Sequence, residues 1–421
     1  MKHSKRTLAV TAVAVGISST LLLAGCASGS TGSTGSGDGQ TGELRILANI
    51  TPVLTKDYYE KLVAPYVEAH PGVKVTIEVP SGDSVQTTLQ QELASGSTPD
   101  IVASNLDTTV VPQLVSFPEE PWVLDTPLAE ENKLDGQIWQ VATGQQIQSL
   151  VFYNKTAFQD AGITDLPTTI DEYTADLKLL KGAGYVPLDT AGEWVTGAQF
   201  AMAANPLLLG DDADWYQQRN AGDVSFAGSA YESFLGDYQG WLADGLVASD
   251  ALGLKYQDSI DQFTSGKSAT YIMGNWIVPS IDEAKTGFEV GVFPTPTPDG
   301  STPKQLSGAA QPYSILKNSK NQDLAMDLVK YLVSDPTAIQ TSLESEGNFR
   351  KGISYPASPL TEAVGQILDD APGAVVGTSG PGVPAGFGDQ LNTSVQKLYT
   401  DGTPASIAAE LDSWWDANAT Q

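Results

Sequence analysis

Residues 72–103 read GVKVTIEVPSGDSVQTTLQQELASGSTPDIVA. Val73, Val75, Ile77 and Val79 alternate with other residues, the period-two pattern of a strand with one buried face. Asp83 and Ser84 are N-cap residue types, so a helix is expected over about Val85–Ser95. Pro99-Asp100 then punctuates the chain ahead of a short apolar strand, Ile101–Ala103. Upstream, Glu43–Ile50 alternates Leu44, Ile46 and Ala48 and reads as another strand. Tyr59, Leu62, Val63, Tyr66 and Val67 share one face of a helix over about Lys56–Ala69, which Pro71-Gly72 stops. Strand–helix–strand–helix–strand with short punctuation is the pattern of an α/β layer with a mostly parallel sheet.

Working outward, Ile147–Tyr153 (IQSLVFY) reads as a further strand, and Thr169-Ile170-Asp171-Glu172 fits a capping box before a helix to about Lys181. From Gly182 to about Ser265 the signals are helical and irregular, rich in Trp, Tyr and Asp. Ser268–Gly274, Phe288–Phe293 and Tyr313–Leu316 are strand candidates, and Gln322–Val333 has helical spacing. Pro294–Pro303 holds four prolines and reads as a stiff connector. Gly373–Gly388 reads as loop, and Ala405–Asn418, with Trp414 and Trp415, as a closing helix whose tryptophans pack. No internal repeat of fixed period is present.

At 421 residues, 41% of them hydrophobic, the chain can bury a large core without disulfide or metal staples. Twenty-two basic residues against 50 acidic ones repel phosphate backbones, which disfavours a nucleic-acid partner. Histidine occurs only at His3 and His70 and cysteine only at Cys26. That scarcity leaves no His/Cys metal cluster and no redox dithiol, makes a Ser-His-Asp site a poor expectation, and implies no cofactor. Carboxylate-only catalysis of the glycosidase kind stays open.

The first 25 residues run from a basic start (Lys2, Lys5, Arg6) through an apolar stretch, Leu8–Leu23, to Ala24-Gly25, the layout of an export signal. Leu23-Ala24-Gly25-Cys26 resembles the lipobox of bacterial lipoproteins, where cleavage precedes a cysteine that receives acyl chains such as palmitate. Residues 26–42 would then be lipidated Cys26 and a flexible tether. Thirteen of the sixteen residues after Cys26 are Gly, Ser or Thr, a composition with nothing to bury. Its r.m.s. reach is roughly 20–25 Å. The expectation is a body moored to the outer face of the cytoplasmic membrane.

Several strings, in order, resemble the extracellular solute-binding proteins of ATP-binding-cassette importers, in the family that carries sugars and oligosaccharides. They are Gly72–Val75; Ala94–Val102 (ASGSTPDIV); Phe152-Tyr153-Asn154-Lys155 with Leu166–Tyr173 (LPTTIDEY); Gly274-Asn275-Trp276; Gly291-Val292-Phe293-Pro294; and Ala325–Leu332 (AMDLVKYL). The resemblance spans about Glu43 to the C-terminus. It implies an α/β fold of two lobes joined by a hinge, with the ligand closing between them. The expected first lobe is 43–148 plus about 310–348, and the second 149–309 plus about 349–421. Hinge crossings are expected near Gln148–Phe152 and near Pro294–Pro312.

A sugar receptor needs aromatic faces for the C–H side of the rings and polar groups for the hydroxyls. The resemblance places Trp276 where an aromatic stacks on sugar, with Asn275 beside it in the same string; a core tryptophan is the alternative. Glu193-Trp194 falls where the family sets an acidic–aromatic element, although a loop carboxylate beside a half-buried ring would also explain it. Asp107 sits at a loop position used for sugar hydroxyls, or is simply the N-cap of the segment after it. Asn49 ends the first strand facing the cleft or forms a turn. Gln146 precedes the hinge strand, Phe387 lies in the Gly/Pro-rich loop, and Trp122 follows Pro121 and lines either cleft or loop. Ser104 stands where relatives can carry an aromatic, which bears on the shape of the subsites.

The function expected is a non-enzymatic receptor that captures a carbohydrate, with an oligosaccharide preferred, and delivers it to the permease of an importer. Alternatives are the same fold with a polyamine or peptide as cargo, or a secreted carboxylate-based glycoside hydrolase.

Overall fold

Thr55 and Ser84 each accept the N–H three residues on, Tyr58 and Thr87, and so start the helices Lys56–Ala69 and Val85–Ser95. Glu172 and Thr169 close the expected capping box on helix Ile170–Gly182, each accepting the other's N–H at 3.1 Å. The computed structural model describes residues 41–419 apart from Asp83, Ser379 and Pro381. The export signal, Cys26 and all but the end of the tether lie outside the described residues.

The described strands are β1 Gly42–Ala48, β2 Val73–Glu78, β3 Ile101–Ala103, β4 Leu114–Val115, β5 Val141–Ile147, β6 Leu150–Asn154, β7 Val186–Asp189, β8 Ser268–Met273, β9 Val290–Pro294, β10 Gln305–Leu316 and β11 Ala374–Val376. They form two sheets. The larger has the order β11-β10-β3-β1-β2, with β4 and β5 also pairing β10; the smaller has the order β7-β8-β6-β9. β1 lies parallel to β2, with Leu44 opposite Val75, and parallel to β3, with Ile46 opposite Ile101. β10 runs antiparallel to β3, β4 and β5. In the smaller sheet only β7 and β8 pair in parallel. The mostly parallel sheet expected from the first hundred residues is therefore corrected to a pair of mixed sheets.

One core joins Leu44, Ile46, Tyr59, Leu62, Tyr313 and Leu328 around the larger sheet. A second gathers Phe152, Tyr173, Phe200, Tyr231, Tyr271 and Trp415 around the smaller one. Each side chain so buried contributes about 1.5–3 kcal/mol. Helix Val195–Leu209 is apolar nearly all round and runs through the second core. Helix Phe387–Gln396 lies close against it, because Gly197 leaves room: a Cβ there would sit 2.3 Å from the Cα of Asn392. The last helix, Pro404–Asn418, is fastened by Arg219, a 5% exposed residue that donates to Asp412 at 3.1 Å and Asp416 at 2.7 Å. Trp415 stacks on Tyr216 with centroids 5.5 Å apart.

The segment expected as one strand, Ile147–Tyr153, is two strand ends in two sheets. At Gln148-Ser149 the chain leaves β10 for the smaller sheet. Gln148 N donates to Leu306 O at 2.8 Å, and the Ser149 hydroxyl donates to Gln305 and accepts from Leu306 N. The return passes between β9 and β10, with Thr295 N donating to Ser149 O at 3.1 Å. β10 begins at Gln305, so residues 305–309 pair within the larger sheet while Leu306 packs into the second core. A third link runs at Phe349, which exchanges backbone hydrogen bonds with Gln145. The Gly/Pro-rich stretch is not all loop: β11 pairs in parallel with Gln305–Ser307 of β10, and a helix starts at Phe387. The edge of β10 supplies the partners that glycine-rich sequence does not announce.

Candidate functional site

Parallel strands end with their carbonyl ends on one side of the sheet, where the loops that follow can meet a ligand. Asn49 directly follows β1, and its N–H is pinned to Ala103 O of β3 at 3.0 Å while its carbonyl accepts from the Tyr59 hydroxyl. Asn105 follows β3, and Gln146 stands on β5 next to the hinge. These three line a cavity of about 210 Å³. Its other wall comes from the smaller-sheet side: Trp194 at the start of helix Val195–Leu209, Tyr256 and Ile260 on helix Tyr256–Thr264, and Trp276 after β8. Glu346 lines it from the hinge side, as the last residue of helix Pro336–Glu346.

The rings are held in place by their neighbours. Trp194 and Tyr256 have centroids 4.8 Å apart, with their planes inclined at 52°. Trp276 lies directly over Gly274, where a Cβ would fall 2.0 Å from the indole. Any other residue at 274 must displace that ring. Trp194 is 41% exposed and Trp276 half-buried, so both offer faces to the cavity.

Glu346 is the one acid in that lining. It is 5% exposed; Asn348 Nδ2 donates to it at 3.3 Å, and the Gln311 side-chain amide beside it also favours its charged form. Burial pushes its carboxyl up to about 7. Beside it, Gln311 adopts a left-handed backbone (φ 47°) that costs a non-glycine residue energy. Its side chain accepts from the Tyr58 hydroxyl at 2.6 Å and donates to Ser342 O and Ser345.

The chain's sequence and structure compare directly with known proteins. The family described as bacterial extracellular solute-binding protein matches residues 52–339. The chain belongs to that family. Among its relatives, the multiple sugar-binding protein of Streptococcus mutans is 22% identical, over 72% of this chain and 75% of its own length. The maltooligosaccharide ABC transporter solute-binding lipoprotein of Streptococcus pneumoniae is 25% identical, over 94% and 87%. A solved chitin oligosaccharide binding protein superposes with a TM-score of 0.78 at 21% identity, covering 90% of this chain and 99% of its own. RafE in complex with raffinose gives 0.73 at 17% identity, covering 90% and 99%. These likenesses fix the two-lobe solute-binding fold.

Within that fold, Asn49, Gln146, Trp194 and Trp276 of the expected residues come together in the cavity. Asn275 does not. It is fully buried: its Oδ1 accepts from Ile147 N at 2.6 Å, and its Nδ2 reaches Glu346 O, Gly347 O and Asn348 Oδ1. Asn275 thus staples the end of β8 to the hinge end of β5 and to the helix end at Glu346, and fixes the backbone that carries Trp276. Glu193 also sits outside the lining. Its carboxylate accepts from Tyr256 N at 2.9 Å, and its carbonyl accepts from Gln396, so it sets the start of the Tyr256 helix against Trp194.

Asp107 caps the short helix Thr108–Gln113 and accepts from Gln86 at 2.9 Å. It lines a second cavity of about 250 Å³ with Asp389 and Phe387, and Asn105 borders both cavities. Phe387 is only 1% exposed and packs on Trp415 and Phe226, so it borders that space as core rather than as an open face. Trp122 is remote from both linings: it donates to Glu120, packs edge-on against Phe117, and has the Lys330 ammonium 5.7 Å from its ring. Tyr256, Glu346 and Asn105 were missed. Aromatic neighbours flanking a loop could have flagged Tyr256. Nothing local marks Glu346, whose role comes from a helix end folded back to the hinge.

Proposed function

We propose that the chain is an exported receptor, tethered through acylated Cys26, that captures a carbohydrate between its lobes and delivers it to the permease of an ATP-binding-cassette importer. The observation that carries this reading is the pairing of walls. Trp194, Tyr256 and Trp276 present aromatic faces across the cavity from the amides of Asn49, Asn105 and Gln146. Sugars have apolar C–H faces edged by hydroxyls, and that combination suits both sides at once. The relatives whose names specify sugars support the cargo class, and the Cys26 string and a lipoprotein relative support the anchor.

Ligand seated on both walls would favour the closed form through its differential affinity for the two conformations. The hinge strands at Gln148-Ser149 and 294–305 and the Phe349 link would take up the change. In this reading the protein works by binding, as a member of a solute-binding family.

Thermal shift of the full chain against neutral trisaccharides, polyamines and short peptides tests the reading. A ligand at 100 times its Kd should add about 2.7 kcal/mol to stability. Stabilisation by a polyamine or peptide and by no sugar would overturn the cargo.

A further inference from the structure

We propose that Glu346 sets the charge selectivity of the cleft, admitting uncharged saccharides and barring those that carry a carboxylate, sulfate or phosphate. This rests on the carbohydrate reading above and narrows it to a class of sugar. The lining of the main cavity contains no Lys, Arg or His, and the adjoining cavity adds two further acids, Asp107 and Asp389, again with no base. An anionic ligand would find no counter-charge in either space.

Glu346 is the group that makes this decisive, because it is buried where solvent cannot screen it. It ends a helix, and the negative end of the helix dipole adds no counter-charge there. Asn348 donates to one carboxyl oxygen, and the only other side chain that supports the charged form is the neutral Gln311 amide. The titratable groups that face it are Tyr58 and Tyr59 on helix Lys56–Ala69, Tyr256 on its own helix, and Tyr313 on β10. Burial raises all four phenols, so all stay neutral, and Gln311 and Asn348 add dipoles only. Among the described residues no cation stands beside the carboxyl, so an uncharged sugar would meet it with hydroxyl or amide groups.

The pH sign follows. Glu346 ionises near neutrality. Above that range an anionic ligand faces a second buried negative charge. Below it the carboxyl is protonated and the repulsion fades.

Calorimetric titration of the full chain with raffinose, mannotriose, maltotriose and chitotriose, each paired with its counterpart oxidised to a carboxylate at one primary hydroxyl, tests this. At about pH 8.5 the oxidised form should bind at least tenfold more weakly than the neutral sugar, a penalty of about 1.4 kcal/mol or more. The ratio should narrow at about pH 5.5. In Glu346→Gln, read as the same ratio within that one protein, the gap should narrow at the higher value and lose its dependence on pH. In Glu346→Asp it should persist at the higher one. Equal or tighter binding of the oxidised sugar by the wild type at high pH overturns the proposal, as does a gap that stays as wide and as pH-dependent in Glu346→Gln. If no neutral sugar binds while a polyamine does, the carbohydrate reading itself falls and takes this inference with it. The wild-type pH series decides the matter even if a variant folds poorly.

Discussion

On the wall carried by the larger sheet, Asn49, Asn105 and Gln146 stand on or just beyond strands fixed by backbone ladders, whereas the facing wall presents rings from helix starts and from the turn after β8. The polar wall inherits its geometry from hydrogen bonds that any sequence with the right strand pattern would make. The aromatic wall depends on individual side chains: Glu193 holding Tyr256, the bare Gly274 under Trp276, and Asn275 anchoring the turn to the hinge. One wall is set by topology and the other by packing. Ligand preference can therefore be retuned on the aromatic side without disturbing the sheet that closes against it.

The largest expected effect lies in the second core, where the last helix is fastened. Arg219→Ala leaves Asp412 partly buried without its cation and should cost about 3–5 kcal/mol in denaturant unfolding. A loss below 1 kcal/mol would mean that this pair does not fasten the last helix to the second core.

Next is the pH dependence of stability. Glu346 is raised from 4.5 to about 7 on folding, so between those values the folded chain binds more protons than the unfolded one. Its contribution to stability is complete below the lower value and is lost as pH rises to the upper one, by about 3 kcal/mol in total. Asp189, buried in the second core and raised to about 8, acts in the same direction. The difference between wild type and Glu346→Gln isolates the cleft group, and parallel stability curves for the two would refute its burial.

The two walls can then be weighed against each other. Trp276→Ala should weaken binding of a recognised sugar by about 2 kcal/mol, roughly thirtyfold in Kd. Gly274→Ala should act in the same direction by displacing that ring. Asn49→Ala removes one amide and should cost about 1 kcal/mol. If Asn49→Ala cost more than Trp276→Ala, the division of labour would be reversed.

Legibility followed the same divide. The alternation of β1 and β2 and the helix faces between them state the first lobe's layers outright, because each element buries one face. β5 hid itself because VATGQQI buries Thr143 and Gly144 and carries two glutamines, a pattern set by the β10 ladder rather than by apolar alternation. β7 was hidden by Pro187 and by the buried Asp189. At the site, Asn49 and Trp276 were visible as residues at strand ends. Asn275 and Glu193 were visible as polar neighbours of tryptophans, but their own hydrogen bonds turn them to holding the wall instead of facing the cavity. Tyr256 and Glu346 reach the cavity through tertiary folding, which no local pattern encodes.

The most direct test of the receptor reading is a tryptophan fluorescence titration of the full chain and of Trp276→Ala with raffinose, mannotriose, maltotriose and chitotriose. The account predicts a saturable change with at least one of these sugars in the wild type, and a Kd weakened roughly thirtyfold in the variant. A variant that binds the sugar as tightly as the wild type, or a wild type that answers only to a polyamine or peptide, would contradict it.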